Sequence, residues 1–139
     1  MKILVDTPIW SYALRTHKTE YQAEVNEITS LIREQRALML GPIRQELLSG
    51  YSDMGKFRRL KEKLSYFDNT PIIDSDYELA AELCNKCRKK GVQGSHIDFL
   101  ICAVAKRLGV PIFTTDKDFS HYERIVSIKL HRNQTTRLI

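Results

Sequence analysis

Apolar residues along the chain follow two patterns: short continuous runs, and longer segments in which they recur every three or four positions. Short runs bounded by Gly, Pro or charged residues are typical of buried strands, and the second pattern predicts helices. The predicted strands are Lys2 to Val5, Ala37 to Leu40, Pro71 to Ile73, Val110 to Thr114 and Ser127 to Leu130. The predicted helices start at Thr7-Pro8 or cover Tyr21 to Ile32, Ile43 to Ser49, Phe57 to Phe67, Tyr77 to Lys90, Ile97 to Leu108 and Asp118 to Glu123.

The predicted strands alternate with helices, and no hairpin turn joins one strand to the next. Consecutive strands must then be connected by helical crossovers, which makes them parallel. We predict an α/β fold in which a mainly parallel sheet is covered by helices on both faces. A chain of 139 residues with 42% hydrophobic residues suits one core, so a single domain over residues 1–139 is expected.

The cellular compartment is indicated by the N-terminus and the cysteines. The apolar run before Asp6 is too short for a signal peptide, and no segment is long and apolar enough to span a membrane. Cys84, Cys87 and Cys102 are an odd number, which favours reduced thiols in a cytoplasmic protein. The Cys84–Cys87 pair could belong to a metal or redox site, but we expect these thiols to be buried in the core.

The basic residues favour a polyanionic partner, since the formal net charge is +5 and the pI is near 9.2. Many of them fall in two segments. The first segment contains Lys56, Arg58, Arg59, Lys61 and Lys63, and the second contains Arg88, Lys89 and Lys90. A solvated helical face is the simpler explanation of either segment, and Arg88 to Lys90 also suit the negative C-terminal end of a helix.

Two acids lie at the ends of predicted strands. Asp6 directly follows the first strand, and Asp116 comes shortly after the strand that ends at Thr114. In open parallel sheets, ligands bind beyond the carboxyl ends of the strands, where the strand order reverses. Both residues are therefore candidate site acids, although either one could simply cap a turn or the helix that follows.

Asp98 is a single carboxylate in an otherwise apolar helical segment. A helix that is apolar on all sides is buried, and a buried carboxylate needs hydrogen bonds, a counter-charge or a metal. The alternative is a capping box, in which Ser95 and Asp98 satisfy the start of the helix. A helix cap and a metal ligand at the same position are geometrically compatible.

Glu46 is the least distinctive candidate, because a glutamate near a helix start is usually solvated. The break at Gly41-Pro42 places the start of its helix just past the second strand, at the same edge as Asp6.

Carboxylates gathered at one edge repel each other, so a cation is expected among them. The candidates are all oxygen ligands, which suit Mg²⁺ or Mn²⁺ rather than zinc. Such a cation could activate a water and neutralise charge on a phosphodiester, while nearby basic residues hold the nucleic-acid backbone.

At these residues the chain resembles the PIN-domain nucleases, and among them the VapC-type toxins of prokaryotic toxin–antitoxin pairs. The resemblance covers nearly the whole chain. It is carried by Asp6-Thr7 after the first strand, Glu46 after the second, the D-x-L-I-x-A-like segment Asp98 to Ala103, and the T-x-D-x-D-F-like segment Thr114 to Phe119.

The resemblance implies strand order 3-2-1-4-5, Mg²⁺-dependent endoribonuclease activity, a VapB-like antitoxin that blocks the site, and a homodimer. It also implies that Asp6, Glu46, Asp98 and Asp116 are catalytic metal ligands, with Asp118 as a further candidate and Thr115 as a supporting hydrogen-bonding residue. One alternative is a PIN-like module that binds RNA or protein without cleaving it. A phosphoacceptor receiver domain is a weaker alternative, because it needs adjacent acids after the first strand, whereas Asp6 lies between Val5 and Thr7.

Overall fold

A computed structural model describes residues 1–14 and 20–132 of the chain. In these residues the strands are β1 (Ile3–Val5), β2 (Ala37–Leu38) and β3 (Ile112–Phe113). The helices are α1 (Thr7–Leu14), α2 (Gln22–Arg33), α3 (Gly41–Ser49), α4 (Met54–Leu64), α5 (Asp74–Lys89), α6 (His96–Leu108) and α7 (Asp118–Val126). The alternation of strands and helices confirms the predicted α/β class.

The sheet is parallel, with strand order β2-β1-β3. Two isolated parallel bridges extend it by one residue on either side, from Met39 to Asn69 and from Ile112 to Leu130. The predicted order 3-2-1-4-5 numbers the five predicted strands along the chain, and its central part, 2-1-4, corresponds to the observed β2-β1-β3 and is confirmed. The two outer positions are occupied by single bridges rather than by strands.

The predicted strand Pro71 to Ile73 is wrong. Pro71 lacks the N–H that a ladder needs, and the N–H of Ile73 donates to the carboxylate of Asp76 at 2.9 Å. This contact satisfies the start of α5, which begins three residues earlier than the apolar pattern predicts. The predicted strand Ser127 to Leu130 is likewise reduced to the bridge at Leu130.

Helix α6 forms the centre of the core, and every residue from Phe99 to Ala105 is buried. It ends at Gly109, whose φ of 68° lies in the left-handed region that favours glycine. Helix α1 is held to the sheet by the indole of Trp10, whose Nε1 donates to the carbonyl of Val5 at 3.0 Å. None of the helices in the described residues has the length and hydropathy needed to cross a membrane.

An ion pair between a buried carboxylate and a partly exposed guanidinium joins α5 to α6. The carboxylate of Asp76 is 1% exposed and accepts from Arg107 through both oxygens, at 2.7 Å from Nε and 3.0 Å from Nη2. The hydrogen bonds from Arg107 keep the pKa of Asp76 below its usual range, although burial opposes this. The pair connects the first turn of α5 to the last turn of α6.

Candidate active site

The sheet brings Asp6 and Asp116 to one edge. Asp6 follows β1 and Asp116 follows β3, and these strands are parallel neighbours, so their carboxyl ends lie side by side. The backbone N–H of Asp6 donates to the carbonyl of Phe113 at 2.9 Å, which continues the ladder to the edge of the site. This is where strand-end acids are expected to meet in an open parallel sheet.

Asp6 is buried, with an exposed fraction of 5%. Its carboxylate accepts from the N–H of Thr7 at 2.8 Å and from Oγ1 of Thr114 at 2.7 Å. Burial raises the pKa of Asp6 to about 6, and the negative charges of Asp98 and Asp116 add to the increase while the two hydrogen bonds oppose it. The side chain is thus held in one orientation in a place where its charge is unfavourable.

Thr114 connects Asp6 to Asp116. Its Oγ1 donates to Asp6 and accepts from the backbone N–H of Asp116 at 3.0 Å. The carboxylate of Asp116 in turn accepts from the N–H of Asp118 at 2.9 Å, which satisfies the turn before α7. Thr115, the supporting residue named from the sequence, instead lies 3.0 Å from the hydroxyl of Tyr12.

Asp98 lies in the first turn of α6 and belongs to the cap of that helix. Its N–H donates to Oγ of Ser95 at 3.1 Å, and its carboxylate accepts from the hydroxyl of Tyr122 at 2.7 Å. Burial raises the pKa of Asp98, hydrogen bonds from Tyr122 and Ser95 oppose this, and the charges of Asp116 and Asp118 raise it further. The capping alternative and the site alternative are therefore both compatible with its position.

Tyr122 is a site residue that the sequence did not indicate. Its side chain is fully buried and packs against Phe99 and Phe119, with ring centroids 4.9 and 5.2 Å away. The approach of its hydroxyl to Asp98 depends on Gly94, since a Cβ at that position would lie 2.7 Å from Cζ of Tyr122 and closer still to the hydroxyl oxygen. In the sequence, Tyr122 appears only as an apolar position of a short helix.

Three carboxylates form the tightest acidic group of the described residues. Asp98, Asp116 and Asp118 each offer one oxygen, and these oxygens lie within 4.8 Å of one another. Hard divalent cations prefer such oxygen ligands, and the mutual repulsion of the carboxylates gives a cation a further reason to bind. The donor set therefore fits Mg²⁺ or Mn²⁺.

Asp6 is next to this group, and it is coupled to Asp98 and Asp116 by their charges.

Glu46 is exposed and reaches the site through Thr7. Oγ1 of Thr7 donates to Oε1 of Glu46, while the N–H of the same residue donates to Asp6. Thr7 thus connects Asp6 on the sheet edge to Glu46 on α3. Glu46 is outside the three-carboxylate group.

The cysteines behave as core residues, and Cys102 lies one turn after Asp98 on α6. Cys87 and Cys102 are buried, Cys84 is partly buried, and all three are free thiols. Burial raises the pKa of Cys87 and of Cys102, which keeps both groups protonated. Within residues 1–14 and 20–132, no cysteine belongs to a group of potential metal ligands.

A family model matches the sequence, and solved structures match the fold. The PIN domain family model matches residues 3–125. The fold is similar to the crystal structure of FitAcB from Neisseria gonorrhoeae, with a TM-score of 0.76 and 22% identity, covering 94% of this chain and 97% of that one. No match was found among curated proteins.

Two further solved structures have the same fold. VapBC2 from Rickettsia felis, bound to a DNA fragment from its promoter, gives a TM-score of 0.72 and 19% identity over 94% of this chain and 98% of that one. VapBC-1 from nontypeable Haemophilus influenzae gives a TM-score of 0.70 and 14% identity, covering 94% of this chain and 97% of that one. Since the family model also spans most of the sequence, the chain belongs to the PIN domain family.

Proposed function

We propose that the chain is an Mg²⁺- or Mn²⁺-dependent endoribonuclease, and that it is the toxin of a VapBC-type toxin–antitoxin pair. The observation that carries the proposal is the convergence of Asp98, Asp116 and Asp118 beside the buried Asp6, at the carboxyl edge of the sheet. PIN domains are in general nucleases, which supports hydrolysis of a phosphodiester as the reaction.

In this proposal the acids have different roles, which follow from their surroundings. Asp98 and Asp116 bind the cation together with Asp118, whose carboxylate lies in the same group. Asp6 is held by Thr7 and Thr114, so its charge faces the cation site in a fixed orientation. A cation bound there would lower the pKa of a water and neutralise charge on the phosphate.

Glu46 has a different role in the proposal because it is exposed and more loosely held. The hydroxyl of Thr7 keeps its carboxylate near Asp6, at a position that is open to solvent. From there Glu46 can accept a hydrogen bond from the attacking water, or contribute to a second cation.

The partner in this proposal is an antitoxin that covers the site, and the protein acts as a homodimer. The similarity to the FitAcB and VapBC structures supports the antitoxin partner, whereas the homodimer follows only from the resemblance of the sequence to VapC-type toxins. At 14 to 22% identity these structures support the fold, and the antitoxin partner is inferred because they are toxin–antitoxin complexes.

The experiment is a cleavage assay on a mixed pool of labelled RNA with Mg²⁺, Mn²⁺ or excess EDTA. We expect cleavage only with a divalent cation, and a loss of at least about 100-fold in Asp98→Asn, which keeps the shape of the side chain but removes its charge. The matched control is Asp68→Asn, since Asp68 is exposed and lies outside the acidic group.

Circular dichroism should show that both variants are folded. Full cleavage by folded Asp98→Asn, or cleavage that persists in EDTA, contradicts the proposal. RNA binding without cleavage under any cation would instead favour a non-cleaving PIN-like binding module.

A further inference from the structure

A groove runs between α1, α3 and α4 on the side of the site where Glu46 lies. Its volume is about 510 Å³. We call it the basic groove, and it is lined by Thr7, Ser11, Leu14, Glu46, Leu47, Gly50, Tyr51, Lys56, Arg59, Leu60 and Lys63.

The cations of the basic groove form one stripe on α4. Lys56, Arg59 and Lys63 are at positions i, i+3 and i+7, which places them on the same face of the helix. Within the described part of the chain none of the three pairs with a carboxylate. Arg58 and Lys61 belong to the same helix but are not part of the groove lining.

The opposite wall connects the groove to the candidate active site. Thr7 and Glu46 line the groove, and Thr7 also donates its N–H to Asp6. Thr7 therefore lies between the groove and the acids, and a ligand along the α4 stripe can extend past Thr7 to them. Three cations face a single carboxylate in the lining, so the groove favours an anion.

The spacing of the cations favours a repeating anion. At about 1.5 Å rise per residue, they are separated by roughly 4.5 and 6 Å along the helix axis. This is comparable with the distance between successive phosphates of a single strand. Tyr51 is also in the lining, and an aromatic side chain beside basic residues is common in single-strand sites.

We propose that the basic groove binds the sugar–phosphate backbone of a single-stranded RNA next to the scissile phosphate. This inference rests on the proposed function, since it assigns that enzyme its substrate surface. A concave groove suits a flexible strand better than the convex surface of a duplex. An acidic protein segment is the alternative occupant, and the experiment distinguishes it from RNA.

The experiment measures binding without cleavage. Asp98→Asn is the common background, EDTA is present, and a fluorescent single-stranded RNA is titrated by anisotropy at several salt concentrations. The groove variant is Arg59→Gln with Lys63→Gln, and the control is Arg58→Gln with Lys61→Gln. Each pair removes one guanidinium and one ammonium group from α4, so both lower the net charge equally.

We expect the groove variant to raise Kd about tenfold, and the control to change it by less than about twofold. Loss of two phosphate contacts should also make the slope of log K against log salt shallower by about 1.4. Equal weakening by both variants would mean that only overall charge matters, and would overturn the proposal. Unchanged binding by the groove variant, or no RNA binding by the parent, would overturn it as well.

A failure of the proposed function remains distinguishable, because binding is read without turnover. If the protein binds this RNA through the groove but never cleaves it, the groove assignment holds and the proposed nuclease activity is wrong. In the wild-type background, the groove variant should raise KM about as much as Kd, with kcat within about twofold.

Discussion

The hydroxyl of Tyr122 occupies the space that a side chain on residue 94 would need. A Cβ at Gly94 would clash with the end of this phenol, which lies 2.7 Å from Oδ2 of Asp98. The glycine thus allows α7 to place a buried hydrogen-bond donor against an acid of α6. We infer that this contact orients Asp98 for the cation.

The contact predicts the behaviour of Tyr122→Phe. This change keeps the ring that packs on Phe99 and Phe119 but removes the donor to Asp98. We expect a loss of about 1 kcal/mol in the free energy of unfolding, and a several-fold increase in the Mg²⁺ concentration that gives half-maximal cleavage. Urea unfolding and a Mg²⁺ titration of the cleavage rate measure the two effects. An unchanged Mg²⁺ dependence would show that the hydrogen bond from Tyr122 does not orient Asp98 for the cation.

Gly94→Ala tests the same relationship from the other side. The added Cβ should displace the hydroxyl of Tyr122, so this variant should also need more Mg²⁺, and it should lose more stability than Tyr122→Phe because the ring must move. Combining the two changes is informative. If Gly94→Ala acts through the hydroxyl, its effect on the Mg²⁺ requirement should be much smaller in the Tyr122→Phe background.

Asp6→Asn should stabilise the metal-free protein. The wild-type carboxylate is buried beside the charges of Asp98 and Asp116, whereas an amide can still accept from the N–H of Thr7 and can donate to Thr114. We expect the free energy of unfolding to increase by about 1 kcal/mol, which corresponds to roughly 3 to 5 °C in Tm, when EDTA is present. Thermal unfolding of the wild type and the variant measures it.

Added Mg²⁺ should reverse this order, because a cation that binds only the folded state stabilises the protein that binds it better. Asp68→Asn, at an exposed position, should match the wild type in both conditions. A lower Tm for Asp6→Asn in EDTA would mean that its carboxylate contributes to the fold rather than opposing it.

The parts of this site that could be predicted from the sequence are those that depend on neighbours in the chain. Asp6 and Asp116 each lie just after an apolar run, and adjacent parallel strands then bring them to one edge. Asp98 was indicated because it is a lone carboxylate in an apolar helix. The contact between Thr7 and Glu46 agrees with the expectation that α3 starts at the same edge.

The parts that could not be predicted depend on how distant helices pack. The packing of α7 on α6 places Tyr122 at Asp98, although 24 residues separate them in the chain. The sequence likewise shows that Lys56, Arg59 and Lys63 share a helical face, but not that this face borders the site. The bridge at Asn69 was missed because a single pair leaves no alternating pattern, and the apolar residues after it lead into α5.

The ion pair between Asp76 and Arg107 predicts an asymmetry between its two partners. Arg107→Gln leaves a carboxylate that is 1% exposed without its partner, whereas Asp76→Asn leaves a guanidinium that is 30% exposed and can be hydrated. We expect losses in the free energy of unfolding of about 2 to 3 kcal/mol for Arg107→Gln and about 1 kcal/mol for Asp76→Asn. Urea unfolding near neutral pH measures both, and equal losses would contradict the asymmetry.

The same pair should make stability depend on pH in the acid range. Hydrogen bonds from Arg107 hold the pKa of Asp76 below its ordinary value of 3.8, so the folded state binds the proton less readily than the unfolded chain. The stabilisation that the ionised Asp76 contributes is therefore present above pH 3.8, and it is lost as the pH falls through the lower pKa of the folded state. The advantage of the wild type over Asp76→Asn should shrink between about pH 5 and about pH 3, because residue 76 of the variant does not titrate. Urea unfolding of both proteins across this range isolates the pair, since the other acids are common to both. A constant difference would show that Asp76 contributes through the hydrogen bond to Ile73 and through packing, and not through its charge.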